Sequence, residues 1–141
     1  MVVLDTDHVS VLQHEDSFAA TDLRNRLAMS SDLITTTAIT LEEQARSWIA
    51  AIGRVSDAER QVVYYDRLTG LFRFFAGWMI LPFDGPAAME FKRLRKVSRR
   101  VGSSDLKIAA IAIVEGATLL TANTRDFERV PGLQFQNWLD S

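Results

Sequence analysis

Short apolar runs alternate along the whole chain with longer segments whose apolar residues recur at helical spacing. Val2-Val3-Leu4 is a β-branched run that ends on Asp5, which predicts a central strand buried on both faces. Later runs predict three more strands, at residues 33–36, 78–81 and 118–121. A short edge strand is predicted at residues 133–135. The helical segment between the first two strands implies a right-handed crossover and hence a parallel pair.

The segments between these strands are predicted to be mostly helical. The predicted helices cover residues 17–29, 40 to about 53, 57–76, 85 to about 101, and 105–115. We expect residues 57–76 to form a helical hairpin that packs against the domain or another chain, because it carries a surplus of apolar residues. Residues 123–128 are a polar turn. The alternation predicts one α/β domain over residues 1–141, with three layers and a central parallel sheet of four to five short strands.

Composition narrows the class of protein. The chain has 141 residues, of which 48% are hydrophobic, enough for a buried core. Lys107 and Glu115 bracket the most apolar run, so no stretch is long enough to span a membrane. The chain enters a strand pattern at once, without a signal-peptide layout, and we therefore expect a cytoplasmic protein. With no cysteine and only His8 and His14, to which we assign surface or structural roles, any metal is expected to have oxygen ligands.

Four acidic residues lie where a predicted strand ends or a helix begins: Asp5, Glu43, Asp105 and Asp126. In open parallel sheets, ligands bind beyond the carboxyl ends of the strands. Carboxylates gathered there would raise one another's pKa unless a cation neutralised them. Oxygen ligands of this kind select Mg²⁺ or Mn²⁺, which also bind phosphate oxygens. The pattern therefore predicts a metal-dependent enzyme that acts on phosphate.

Two of these acids have ordinary structural explanations as well. Thr40 and Glu43 have the spacing of a capping box, in which the Glu side chain bonds the first helical amide. Helical periodicity does not choose between Glu43 and Glu42, because Glu42 lies nearer the apolar stripe. Asp105 could cap its helix or interact with the helix dipole.

A basic segment stands out although the net charge is −2. Six of the 16 basic residues fall within nine positions: Lys92, Arg93, Arg95, Lys96, Arg99 and Arg100. Such a run is either a solvated helix face or a surface that contacts an RNA backbone.

Several runs together resemble the PIN domain, and specifically the VapC-type toxins of bacterial toxin-antitoxin pairs. They are LDTDHVS, TAITLEEQ, LPFDGPAAMEF, GSSDLKIAAIAIVEGATLLTANTRDFERVPGL and QNWL. The resemblance covers essentially the whole chain, and its last third is the most specific part. It implies a PIN-like fold and a Mg²⁺- or Mn²⁺-dependent endoribonuclease that cleaves single-stranded RNA and leaves a 3′-hydroxyl and a 5′-phosphate.

The resemblance also implies roles for individual residues. It makes Asp5, Glu43, Asp105 and Asp126 the catalytic acids that hold one or two metal ions, and it favours Glu43 over Glu42. The residues expected to orient these ligands or water are Thr6, Ser103, Thr121 and Asn123. This chain departs from the family pattern at Asp7, where Asn is common, and at Gln44, where an apolar residue often follows the Glu. Asp7 is therefore a further candidate ligand.

The resemblance to these toxins also implies protein partners, and the sequence leaves two alternative functions open. The expected partners are a cognate antitoxin, received by the hairpin of residues 57–76, and a second copy in a homodimer. One alternative is a phosphatase similar to the haloacid dehalogenases, with Asp5 as nucleophile and Asp7 as general acid. The other is a non-catalytic PIN-like module that binds RNA or protein.

Overall fold

The centre of the fold is a parallel sheet built from the first strand of the chain. A computed structural model describes residues 1–14 and 17–139. The strands are β1 (Val2–Leu4), β2 (Ile34–Thr37), β3 (Met79–Leu81), β4 (Thr118–Leu120) and β5 (Gln134–Gln136). They lie in the order β3-β2-β1-β4-β5 and every neighbouring pair is parallel. The predicted three-layer α/β fold is confirmed, with strand bounds that differ from the prediction by about one residue.

The described residues also form seven helices. They are α1 (Thr6–Gln13), α2 (Phe18–Met29), α3 (Ala38–Gly53), α4 (Ala58–Phe75), α5 (Gly85–Val97), α6 (Ser103–Val114) and α7 (Thr124–Phe127). Helix α1 was not predicted, and part of the predicted polar turn is the single helical turn α7. Helix α5 ends about four residues earlier than predicted. The helices connect the strands and place the carboxyl ends of β1 and β4 side by side.

Apolar side chains of the strands alternate between the two faces of the sheet, as the pleat requires. Val3 and Leu119 belong to one core cluster with α5 and α6. Val2, Leu4 and Leu120 belong to the other, with α1, α2 and α4. Because both faces are covered, β1 is wholly apolar up to Asp5.

Residues 58–75 form a single helix, so the prediction of a hairpin within this segment is wrong. Helix α4 instead packs against α3, and the two together make the hairpin. Val62, Val63 and Phe72 of α4 are each more than half exposed, in line with the predicted apolar surplus. Within the described part of the chain, no helix combines the length and the apolar character needed to cross a membrane.

Helix α3 begins earlier than the capping-box pattern suggested. Its N-cap is Thr37, whose hydroxyl accepts a hydrogen bond from the amide of Thr40 at 3.2 Å. Thr40 is therefore inside the helix, and the capping-box explanation of Glu43 is wrong. Asp105 is likewise no N-cap, because α6 starts at Ser103 after Gly102 and Asp105 is its third residue.

Candidate active site

Asp5 is the junction between the central strand and the first helix. Its amide donates to the carbonyl of Leu120 at 3.1 Å, and its carboxylate caps α1 by accepting from the amide of His8 at 3.4 Å. The residue is 6% exposed. Burial raises the pKa of Asp5 to about 7, assisted by neighbouring Asp7 and opposed by hydrogen bonds from His8 and Thr121. Asp5 therefore readily holds a proton in the absence of a cation.

Asp7 accepts hydrogen bonds on both carboxylate oxygens. Nδ1 of His8 lies 2.6 Å from Oδ1, and the amide of Ala122 donates to Oδ2 at 2.9 Å. Burial alone would raise the pKa of Asp7, but the bonds with His8, Asp5 and Ala122 outweigh it and lower the pKa to about 2. A carboxyl group that stays ionised cannot donate a proton. This counts against the general-acid role that the phosphatase alternative requires of Asp7.

His8 is completely buried, which excludes the surface role considered from the sequence. Its Nε2 accepts a hydrogen bond from the amide of Trp138 at 3.2 Å, so the ring proton is on Nδ1 and faces Asp7. Burial lowers the pKa of His8 and the adjacent Asp5 and Asp7 raise it more strongly. The neutral ring nevertheless fits this arrangement, because a proton on Nε2 would oppose the Trp138 N–H. His8 holds Asp7 in place and joins it to the end of the described chain.

A second pair of acids is joined by an amide side chain. Nδ2 of Asn123 donates to Asp126 at 3.1 Å and lies 3.4 Å from Asp105. The amide of Asn123 in turn donates to the hydroxyl of Thr121 at 3.0 Å. Burial and the charges of Asp126 and Asp7 raise the pKa of Asp105. The start of α6 and the turn after β4 therefore share one negatively charged space.

Glu43 reaches the same space from α3. The hydroxyl of Thr6 donates to Glu43 at 3.1 Å and lies 3.4 Å from the hydroxyl of Thr40. Burial raises the pKa of Glu43; the charge of Asp105 adds to this rise, and the bond from Thr6 opposes it. Glu42 is exposed and forms an ion pair with Arg46. The geometry thus places Glu43, and not Glu42, beside the other acids.

The remaining residues that the sequence suggested for the site are Ser103 and the six of the basic segment. Ser103 is exposed in the first turn of α6. In the basic segment, Arg95 donates to the carbonyl of Val101 and covers the ring of Phe91, and Arg93 is paired with Glu90. The other four basic side chains are exposed: Lys92, Lys96, Arg99 and Arg100.

The donor set suits a hard divalent cation. Donor atoms of Asp5, Asp7 and His8 lie within 4.8 Å of one another. Both ring nitrogens of His8 already have hydrogen-bond partners, so the available donors are carboxylate oxygens. The raised pKa values of Asp5, Glu43 and Asp105 reflect burial together with repulsion by a neighbouring carboxylate in each case, which a bound cation would relieve. Oxygen donors of this kind fit Mg²⁺ or Mn²⁺ better than softer metals.

Comparison with known sequences points to one family. The PIN domain family model matches residues 2–133. "Ribonuclease VapC2" of Rickettsia felis is 50% identical over 69 residues, which is 46% of this chain and 52% of the relative. "tRNA(fMet)-specific endonuclease VapC" of Salmonella typhimurium is 27% identical over 120 residues, 82% of this chain and 83% of the relative. The chain spans about half of the length of the former.

Solved structures give the same result over the full length. The structure of VapBC2 from Rickettsia felis bound to a promoter DNA fragment matches with a TM-score of 0.68 and 26% identity, covering 98% of this chain and 99% of that one. VapBC-1 from nontypeable Haemophilus influenzae matches with a TM-score of 0.75 and 21% identity, covering 98% of each chain, and indicates the shared fold alone.

Proposed function

The chain belongs to the PIN domain family, and on that premise we propose that it is a metal-dependent endoribonuclease, the toxin of a toxin-antitoxin pair. The observation that carries the proposal is a chain of neighbouring acids from four separate segments: Asp7 acts on Asp5 and Asp105, Asp105 acts on Glu43, and Asn123 lies between Asp105 and Asp126. These segments are the end of β1, helix α3, the start of α6 and the turn after β4. The ribonuclease names of the relatives support the same reaction.

In this proposal Asp5, Glu43, Asp105 and Asp126 hold one or two Mg²⁺ or Mn²⁺ ions. When bound, the cation supplies charge neutralisation at the scissile phosphate and a more acidic water. The hydroxyl of Thr6 fixes Glu43, and Asn123 fixes Asp105 and Asp126, so the carboxylates keep their positions while RNA binds. Because burial raises the pKa of Asp5 to about 7, a cation would compete with a proton for its carboxylate.

The proposed substrate is single-stranded RNA, cleaved to a 3′-hydroxyl and a 5′-phosphate. The site combines buried Asp5 with half-buried acids at the carboxyl ends of β1 and β4, a recess that a flexible strand enters more easily than a duplex does. Unpaired RNA also exposes its base edges to protein side chains.

The proposed partners are a cognate antitoxin and a second copy of the chain. Matching structures such as VapBC2 contain a VapB and VapC pair, which supports an antitoxin. The exposed apolar side chains of α4, such as Val62 and Phe72, offer a surface for either partner. We place this activity in the cytoplasm, within a single domain.

The test uses purified protein and single-stranded RNA labelled at one end. We expect cleavage with Mg²⁺ or Mn²⁺ and none with EDTA. Asp5→Asn and Asp105→Asn should each reduce the rate by about 100-fold or more, since both remove a proposed ligand. Glu115→Gln, which changes an acid at the opposite end of α6, is the matched control. Full cleavage by both site variants would refute the mechanism, and RNA binding without metal-dependent cleavage would favour the non-catalytic module.

A further inference from the structure

A groove of about 930 Å³ leads away from the acids between α1, α3 and α4. Thr6 and Glu43 line its inner end, so the groove is continuous with the candidate active site. An RNA strand that is cut at the acids must continue on at least one side of the scissile phosphate. The groove is therefore in the right place to receive flanking nucleotides, an argument that rests on the proposed ribonuclease function.

One wall of the groove is a row of polar side chains on a single face of α1. Thr6, Ser10 and Gln13 are spaced by four and three residues and so share that face. The facing residue of α3 is Gln44. By helical rise, Gln13 lies about 10 Å along α1 from Thr6. The polar row thus extends from the acids well into the groove.

Gln13 and Gln44 form a reciprocal amide pair within this row. Nε2 of Gln13 donates to Oε1 of Gln44 at 2.8 Å, and Nε2 of Gln44 donates back at 3.1 Å. Nε2 of Gln44 also donates to the hydroxyl of Ser10 at 3.2 Å. Each amide has two donors and one oxygen with two lone pairs. The reciprocal pair uses the edge on which the N–H and the oxygen of each amide lie side by side, so Gln13 keeps one N–H and one lone pair that point away from the pair and from each other.

Each of these two groups can form one hydrogen bond with the edge of a base. The opposite wall adds Arg67 and Arg73 from α4, whose charges complement an RNA backbone, against the single carboxylate of Asp66. Trp48 contributes a half-buried aromatic surface on which a base can stack. This combination suits a nucleotide chain.

We propose that the groove is a subsite for RNA next to the scissile phosphate, and that Gln13 and Gln44 determine the preferred base there. This gives a role to Gln44, whose side chain joins α3 to Ser10 and Gln13 of α1. Because the site lies beyond the acids, it governs where the RNA is cut and leaves the cleavage chemistry to the carboxylates.

The experiment compares wild type, Gln13→Ala/Gln44→Ala and the control Gln134→Ala, which changes an exposed glutamine on β5. Cleavage of a randomised single-stranded RNA gives the base preference at each position around the cut. Fluorescence anisotropy of labelled RNA in EDTA gives binding without cleavage. We expect the double variant to lose a preference of about tenfold at one flanking position and to bind RNA more weakly. The control should match wild type.

A second variant is included in case the double variant does not fold. Gln44→Glu keeps the side-chain size but removes the donors and adds a negative charge, and thermal unfolding verifies that each variant is folded. Unchanged preference and RNA binding in both folded variants, or no RNA binding by wild type, would overturn the subsite. Weaker binding of an antitoxin-derived peptide without any effect on RNA would assign the groove to a protein partner and would also overturn it. If the wild type binds RNA and the glutamine variants bind it more weakly, but the wild type shows no metal-dependent cleavage, the nuclease proposal is refuted and the RNA subsite is not.

Discussion

The carboxylate of Asp7 accepts a hydrogen bond from the amide of Ala122, 115 residues later in the chain. This bond fastens the start of α1 to the turn that carries Asn123 and Asp126. The other carboxylate oxygen faces Nδ1 of buried His8. Residue 7 must therefore accept from two donors at once, which an Asp can do and an Asn in one orientation cannot.

We predict that Asp7→Asn destabilises the protein by about 1–3 kcal/mol, because one of the two donors then faces an NH₂ group. Urea unfolding measures the change, with Asp22→Asn on the exposed face of α2 as control. Cleavage should weaken as well, since Asn123 and Asp126 lose their tie to α1. A variant as stable and as active as wild type would show that the Ala122 bond is dispensable.

The pH dependence of stability provides a second prediction, for protein kept free of metal by EDTA. The pKa of Asp5 is raised to about 7 from 3.8, so its contribution to stability is fully present below about pH 4 and is lost as pH rises through about 7. Asp7 acts in the opposite sense, because its pKa is lowered to about 2. Its contribution is present above about pH 4 and is lost only as pH falls through about 2.

Between pH 5 and pH 8 the Asp5 effect exceeds that of Asp7, and the raised pKa of buried His8 acts in the same direction as Asp5, so the free energy of unfolding should decrease. Asp5→Asn should make that decrease smaller, and saturating Mn²⁺ should reverse it by binding the ionised carboxylates. Unfolding curves at the two pH values, with and without metal, measure both effects. A wild-type protein that becomes more stable towards pH 8 in EDTA would contradict the assignment.

Glu43 and Glu42 form a matched pair for a third prediction. Glu43→Gln should lower the rate of cleavage by about 10- to 100-fold, because Glu43 lies beside Asp105 and is held by Thr6. Glu42→Gln should change the rate by no more than about twofold, since it breaks only an exposed ion pair with Arg46. Initial rates at saturating metal distinguish the two variants. The reverse order would assign the catalytic role to Glu42.

The basic segment gives a fourth prediction. Lys92 and Lys96 are exposed on α5, whereas Arg93 and Arg95 already have partners within the protein. If the segment contacts the RNA backbone, Lys92→Ala/Lys96→Ala should weaken RNA binding and reduce its dependence on salt concentration, by about 0.7 in the log–log slope for each lost phosphate contact. Arg54→Ala/Arg60→Ala removes the same charge from other exposed positions. Equal slopes in both double variants would identify the segment as a solvated helix face.

The sequence was sufficient to predict the sheet, because each strand is an apolar run next to a helix of clear period. It was not sufficient for α1, where Asp7 and His8 interrupt the apolar pattern and only Val9 and Leu12 are buried beyond them. The cap of α3 was also misassigned. Several threonines between residues 35 and 40 could serve as caps, and the end of β2 decides that Thr37 does.

The candidate site, like the fold, was only partly predictable from the sequence. The acids could be selected from the sequence because each follows a predicted strand or opens a predicted helix, although Glu43 lies in the second turn of α3. The contacts that fix them could not, since Asp7 with Ala122 and His8 with Trp138 join residues 115 and 130 positions apart. The only local signal was a histidine directly after two acids, which predicts no partner so distant. Similarly, the choice of Glu43 over Glu42 depends on Thr6, which approaches from another helix.

The order of strands in the sheet has a consequence for synthesis on the ribosome. β1 is translated before the other four strands but lies in the middle of the sheet, and its neighbour β4 begins at Thr118. At ~20 residues per second, Asp5 waits roughly 6 s for the residues that complete its surroundings. Trp138, which closes over His8, follows later still. A nascent chain that lacks β4 and the turn after it therefore lacks an assembled site.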